Sequence, residues 1–207
     1  MTGDTNVIIG IVLNIIDLKK IVAAGPRPAP EVSRNMDRMA LVADKLDCTE
    51  LVARVARAID RCDADLLRSL FHRDATDDHG IFSGTAAEFV GWVIPLLRTM
   101  KRTQHVIGQV LIEIDGDCAS GESYFVAHHT MESVGGDVHM IVAGRYLDRF
   151  ERRDGIWKIA HRQAVYDWGS NSPSTDSYDR DNPGKMTFGV RGAADPSYAF
   201  LTGPPPV

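Results

Sequence analysis

Proton chemistry near neutral pH needs an imidazole, a carboxylate to hold it and a group to receive developing charge. Few positions in this chain bring those types close together. Asp77, Asp78 and His79 are consecutive. Neighbours on a strand point to opposite faces, so at most Asp77 and His79 share one, and a third metal ligand is missing. His128-His129 fails as a metal pair for the same reason. Asp60 lies four residues after Ala56, on the edge of a helical apolar stripe, and His105 opens a run of period two. Brought together, such residues make a base whose carboxylate orients the ring and stabilises the imidazolium. Residue types alone leave a second use open, in which Asp60 caps a turn or pairs with Arg61 and His105 is a hydrogen-bonded core residue. Arg162 is a third candidate, because a guanidinium stabilises an oxyanion or leaving group in a dry site. Parity opposes it. If Trp157 and Ile159 face the core, His161 does too and competes for the pocket, and only a β-bulge would turn Arg162 inward. No glycine-rich phosphate loop, nucleophile elbow or HExxH motif occurs.

The elements that must position these residues start from the stretch Met140 to Trp168. Val142, Tyr146 and Phe150 recur on one parity, and Trp157 and Ile159 resume beyond Asp154-Gly155. Alternation on both sides of an Asp-Gly predicts a hairpin, with strands of roughly ten residues that must bury one face. His105–Ile114 and Cys118–Thr130, joined at Asp115-Gly116-Asp117, predict a second one. Upstream the period is helical. Asp47-Cys-Thr-Glu50 reads as a capping box opening a helix with Leu51, Val55 and Ile59 on one stripe and Arg54, Arg57 and Arg61 opposite. Asp63 caps a short second helix, Ala75–Phe82 reads as a strand, and Thr85-Ala-Ala-Glu88 caps a helix that Pro95 should kink. Helices followed by a four-stranded antiparallel meander, with one short strand between the helices, predict an α+β fold with helices on one side of a curved sheet.

The periodic pattern occupies one domain, 36–168, between an N-terminal extension with a Pro-rich linker (1–35) and a Pro/Gly-rich tail (169–207). The apolar run Val7–Ile16 is too short to span a bilayer and its leader has no basic residue. It reads as an irregular start, or as a start codon placed upstream of a true one at Met36 or Met39. The tail is expected to be irregular, yet Phe188, Tyr198, Phe200 and Leu201 fit a segment that wraps the domain or a partner subunit. A net charge of -5 and a pI near 5.8 argue against nucleic acid as partner. Cys48, Cys62 and Cys118 are odd in number and lack CxxC spacing, which fits a reducing cytoplasm and neither a disulfide framework nor a zinc site. No membrane association is expected.

Together, Ala58-Ile-Asp60-Arg-Cys-Asp63, Leu66 to Ala75, Thr103-Gln-His105 and Arg149 to Lys158 resemble the SnoaL-like branch of the nuclear transport factor 2 superfamily. That resemblance implies a cone, in which a strongly curved antiparallel sheet is closed on one side by helices and a pocket opens inside (the cystatin-like α+β barrel). It implies a lyase or isomerase similar to polyketide cyclases, scytalone dehydratases and related enzymes of aromatic compound catabolism, without metal or organic cofactor. The family's helix aspartate falls on Asp60, its strand-start histidine on His105, and its last-strand arginine on Arg162. The tyrosine that several dehydratases carry five residues before the aspartate is Val55 here, so Tyr124, Tyr146 or Tyr166 would have to substitute. Phe82, Trp92 and those positions are expected to line a pocket for a small hydrophobic aromatic or polycyclic substrate. The resemblance also implies a homo-oligomer, dimer or trimer. The alternative is a non-catalytic ligand-binding or assembly subunit similar to the small subunits of ring-hydroxylating dioxygenases.

Overall fold

The computed structural model describes residues 38–202. The readings of the 1–35 extension lie outside the described residues. Helix α1 runs over Arg38–Arg61, and Asp44, Cys48, Leu51, Val52, Val55, Ala58 and Ile59 form its buried stripe. It starts well before Asp47, so the capping box expected there is an interior turn, and Glu50 pairs instead with Arg54 one turn on at 2.6 Å. Asp44 takes a core position on the stripe, where its carboxylate accepts from the Trp157 indole at 2.8 Å and from Arg152 at 2.7 Å.

Cys62, in the left-handed region at φ 51, ends α1. Asp63 then caps helix α2, Ala64–Ser69, by accepting from the Leu66 amide at 3.0 Å. Strand β1 covers Phe71–Asp78 and β2 Ser83–Thr85. The segment expected as a strand over 75–82 therefore begins earlier and stops at Asp78. There the chain turns, with the His79 amide donating to Phe82 O at 2.8 Å. Helix α3, Ala86–Thr99, opens on the Thr85–Glu88 capping box and runs through Pro95.

Strands β3 (Arg102–Asp115), β4 (Cys118–Met131), β5 (Val138–Arg153) and β6 (Ile156–Pro173) follow. Asp154 (φ 53) and Gly155 (φ 78) make the turn of the central hairpin, the two positive φ values its geometry requires. The sheet has six strands in the order β2-β1-β6-β5-β4-β3. The strand between the helices is thus a full member of it, lying parallel beside β6, with β2 added at the edge. Turn residues betray hairpins in a sequence, whereas a parallel pairing across the chain leaves no local mark. Gly169–Pro173, assigned to the tail by composition, continue β6 and pair with Val138–Val142. After the Ser174 amide donates to Asp137 O at 2.8 Å the chain leaves the sheet, and it forms a 3-10 turn at Gly192–Ala194 and a helix α4, Pro196–Thr202.

The result is α+β, a cone-shaped, unclosed sheet with the helices on its inner face. The alternate residues Ile112, Ala119, Phe150, Trp157 and Ile159 pack with the stripes of α1 and α3 in the main core. Phe125, Ala127, Tyr146 and Ala164 form a second, separate cluster on the same face further along the strands. Register shifts between Ile107 and Val110, at Ala143/Gly144 and at Arg149/Phe150 bend the strands. At the second of these only glycine fits, because a Cβ on Gly144 would lie 2.1 Å from Val165 O.

Candidate active site

Asp60 sits in the last turn of α1, where the helix crosses the start of β3. Its Oδ1 lies 2.7 Å from His105 Nδ1, and its Oδ2 accepts from the His105 backbone amide at 2.8 Å. Both side chains are nearly enclosed, His105 at 8% and Asp60 at 11% exposed. A carboxylate on Nδ1 fixes the tautomer with the proton there, which leaves the Nε2 lone pair as the proton acceptor. The second bond, to the amide of the same residue, holds the carboxylate against β3 whatever the ring does. The pair lies on the wall of a groove of about 950 Å³ that also runs past Thr103 and Thr130.

His129 stands beside it. On β4 it is paired with Thr103, and its ring meets His105 edge to face with centroids 5.6 Å apart. Burial, and then the proximity of His105, push its pKa down to about 4, so it is a neutral imidazole at pH 7. Its Nδ1, the Thr103 hydroxyl and the Ser123 hydroxyl are buried on this inner face without a hydrogen-bond partner among the described residues. Sequence reasoning set His129 aside with His128 as a failed metal pair. The parity of Phe125, Ala127 and His129 was the signal that marks it as inward-facing.

Arg162 does face inward. The register shift between Arg149/Phe150 and His161/Ile159 is a bulge at Ala160. It lets Trp157, Ile159 and Arg162 all point into the cone, and leaves His161 half-buried on the other face against Thr76 at 2.7 Å. Yet Arg162 does not converge on Asp60 and His105 as expected. Its Nε and Nη2 donate to Asp148 at 2.7 and 2.8 Å, and its guanidinium lies 4.2 Å from the Tyr146 ring. Both partners of the ion pair are 1% exposed. Arg162 shares a rung of the sheet with Asp148 and Gly121, whereas His105 shares one with Ala127 and Val142. The Phe125–Gly144 and Ser123–Tyr146–Ala164 rungs lie between.

The other expected lining residues separate in the same way. Val55 is fully buried in the main core, on the inward stripe of α1. Tyr124 is 44% exposed because its parity opposes that of Phe125, and it borders a shallow groove on the outer face instead. Phe82 and Trp92 stack on each other at 5.2 Å against the main core. Tyr146 is buried inside the cone and stacks on Phe125 at 4.2 Å. Tyr166 is half exposed and donates its hydroxyl to His79 O at 3.0 Å. Asp77 and His79 do share a face, but with each other: Asp77 Oδ1 lies 2.5 Å from His79 Nδ1, and the His79 ring stacks on Phe89 at 4.7 Å. Among the described residues no cluster of three or more His, Cys, Asp or Glu is placed to hold a metal ion. Nor is any helix there long and apolar enough to cross a membrane.

The far wall of the groove comes from the segment after β6, which composition had marked as irregular. Arg191 reaches under it to Leu97 O at 2.5 Å and Met100 O at 3.1 Å, capping the carbonyl end of α3, and its Nη1 lies 2.6 Å from Cys62 Sγ. Asp195, buried, pairs with Arg61 at 3.2 Å. The Ser197 hydroxyl, together with backbone amides and Arg61, holds Asp195 down to about 2. Tyr198 donates to Asp63 at 2.5 Å under the Arg57 guanidinium. The tail thus grips the same end of α1 that carries Asp60. Phe200 and Leu201, by contrast, remain exposed.

Residues 40–163 match the SnoaL-like domain. An uncharacterized Mycobacterium tuberculosis protein, Rv2910c, is 27% identical over 135 residues, which is 63% of this chain and 90% of that protein. Among solved structures, a type 2 hexachlorocyclohexane dehydrochlorinase (LinA) superposes with a TM-score of 0.59 at 19% identity, covering 66% of this chain and 93% of the other. A candidate scytalone dehydratase from Novosphingobium aromaticivorans superposes with a TM-score of 0.57 at 19% identity over 65% and 91%. At such identities the two structures bear on the fold.

Proposed function

The chain belongs to the SnoaL-like family, and from that premise we propose that it is a cofactor-independent lyase or isomerase acting on a hydrophobic ring compound by general acid–base chemistry. The observation that carries this reading is the Asp60–His105 pair, nearly enclosed and oriented through Nδ1, with Nε2 left as base at the wall of a groove. His105 takes the proton next to an activated carbon, and Asp60 stabilises the imidazolium so formed. The electron pair released forms the new double bond as the leaving group departs on the adjacent carbon. His129, neutral and set edge-on to His105, does not compete for the proton. Arg162, committed to Asp148, holds the cone together and is not assigned a part in the step. The lyase names among the structural neighbours support this reaction class.

The test is turnover of a panel of dehydratable, dehydrohalogenatable and aldol-type aromatics by the wild type, Asp60→Asn and His105→Ala. Loss of kcat by about 10²–10⁴-fold in each variant is expected. Undiminished turnover in both would overturn the assignment.

A homo-oligomer belongs to the same reading. The outer sheet face carries Leu111 at 65%, Tyr124 at 44% and Trp168 at 56% exposed, apolar side chains that a second subunit would cover. Sedimentation velocity decides it, a single monomer peak at micromolar concentration counting against association.

A further inference from the structure

The groove beside Asp60 and His105 has an uneven charge balance. Strand β3 is an edge strand of the sheet. The groove wraps that edge, so it is lined both by inward residues such as His105 and by outward ones such as Arg102. Opposite Arg102 lies the tail, where Arg180, Tyr178 and Phe188 face the same space. Arg102 Nη2 and Arg180 Nη2 both reach one oxygen, Asp176 Oδ2, at 3.0 and 2.8 Å. Two guanidinium groups thus share a single carboxylate.

The other cations of the groove are served separately: Lys101 by Asp137 at 2.7 Å and Arg61 by Asp195 at 3.2 Å. Arg191 is spent on the carbonyl end of α3. Arg102 and Arg180 therefore set two positive charges against the single carboxylate of Asp176. Both side chains are about a third exposed, at 35% and 34%, and so are open to a ligand. Beside them the Tyr178 and Phe188 rings lie 5.6 Å apart, with the Arg180 guanidinium 5.9 and 5.0 Å from their centroids. A planar apolar body fits against such rings while its anionic head meets the guanidinium fork.

We propose that the segment after β6 makes the groove a receptor for aromatic carboxylates, with Arg102 and Arg180 holding the carboxylate and Tyr178 and Phe188 the ring. The inference rests on the acid–base reading only in taking this ligand for the substrate, since the head group would dock on the groove that His105 borders. Arg180, Tyr178 and Phe188 lie beyond the matched family domain, which ends at residue 163, whereas Arg102 lies within it on β3. Specificity for an acid therefore needs the tail and the start of β3 together.

Equilibrium binding tests it without requiring turnover. By calorimetry on the full chain, 2-naphthoate should bind about five-fold or more tightly than the neutral 2-naphthamide, and the gap should shrink with added salt. Arg180→Gln should erase most of that preference and Arg180→Lys should restore it, with Arg102→Gln as an independent second removal. Equal binding of the acid and the amide, or a preference that survives both Gln variants, overturns the proposal. Asp60→Asn, run alongside, separates the two readings. An acid preference together with no turnover of any panel substrate would leave the receptor standing without the lyase. Turnover of neutral ring compounds with no acid preference would do the reverse.

Discussion

Asp60 binds His105 twice, once through the ring at Nδ1 and once through the backbone amide of the same residue. The ring is therefore oriented by a carboxylate that the strand itself holds in place. Asp60→Asn should keep the amide contact and the fold but lose the charge on Nδ1–H. In proton NMR the wild type should show a hydrogen-bonded ring N–H far downfield, and the variant should shift it upfield by more than 1 ppm (roughly the change on replacing a charge-assisted bond with a neutral one). An unmoved resonance would mean that the ring is oriented by something else.

Removing either member of the Arg162–Asp148 pair leaves a buried charge alone. Asp148→Ala should cost about 3–5 kcal/mol in urea unfolding, whereas Arg162→Met combined with Asp148→Leu should recover much of it. A single variant as stable as the wild type would show that the pair contributes little to the cone.

His129 sets the acid limb of stability. Unfolded, it titrates near 6.5; folded, at about 4. Between those values the unfolded chain holds a proton that the folded one refuses. Its contribution is therefore complete above pH 6.5 and is lost as the pH falls toward 4, a change on the order of 2–3 kcal/mol. Urea midpoints measured from pH 7.5 to 4.5 should fall accordingly, and His129→Gln should flatten that slope. An unchanged slope in the variant would assign the acid sensitivity to another group.

Gly144→Ala should be among the most damaging single-methyl additions in the sheet. Its Cβ would meet Val165 O at 2.1 Å, backbone against backbone, where no rotamer can give way. A loss of about 2 kcal/mol or more is expected from thermal melts, with the less crowded Gly108→Ala, 3.5 Å from the Tyr124 Cβ, as control.

The parts of this architecture that were legible are those written in short-range chemistry. Asp154-Gly155 announced its turn because positive φ is costly elsewhere, and Thr85 with Glu88 announced a helix because three-residue spacing closes a capping box. The family resemblance, rather than periodicity, singled out Asp60 and His105, since a carboxylate on a stripe edge looks the same whether it caps or catalyses. The Asp47–Glu50 spacing hid the first turns of α1, because it fits a capping box and a helix interior equally well. Arg162 faces inward through one extra residue at Ala160, and nothing in the composition marks a bulge. Its partner Asp148 emerges only when β5 and β6 are aligned rung by rung. Proline and glycine content predicts the tail's irregularity, and its aromatic residues a segment that wraps the domain, but neither names the polar side chains that hold it. Arg191, Asp195 and Tyr198 supply the anchors.

The three tryptophans occupy three different surroundings. Trp157 is 5% exposed with its indole bonded to Asp44, Trp92 is half-buried against Phe82, and Trp168 is 56% exposed on the outer sheet face. Retaining one indole at a time and replacing the others by phenylalanine therefore yields three optical reporters in a single scaffold. The first dims or shifts when α1 undocks, the second answers to changes around the Phe82 stack, and the third is quenched by solutes until another surface covers it. Unfolding, local rearrangement and self-association can thus be told apart by colour, with no label attached.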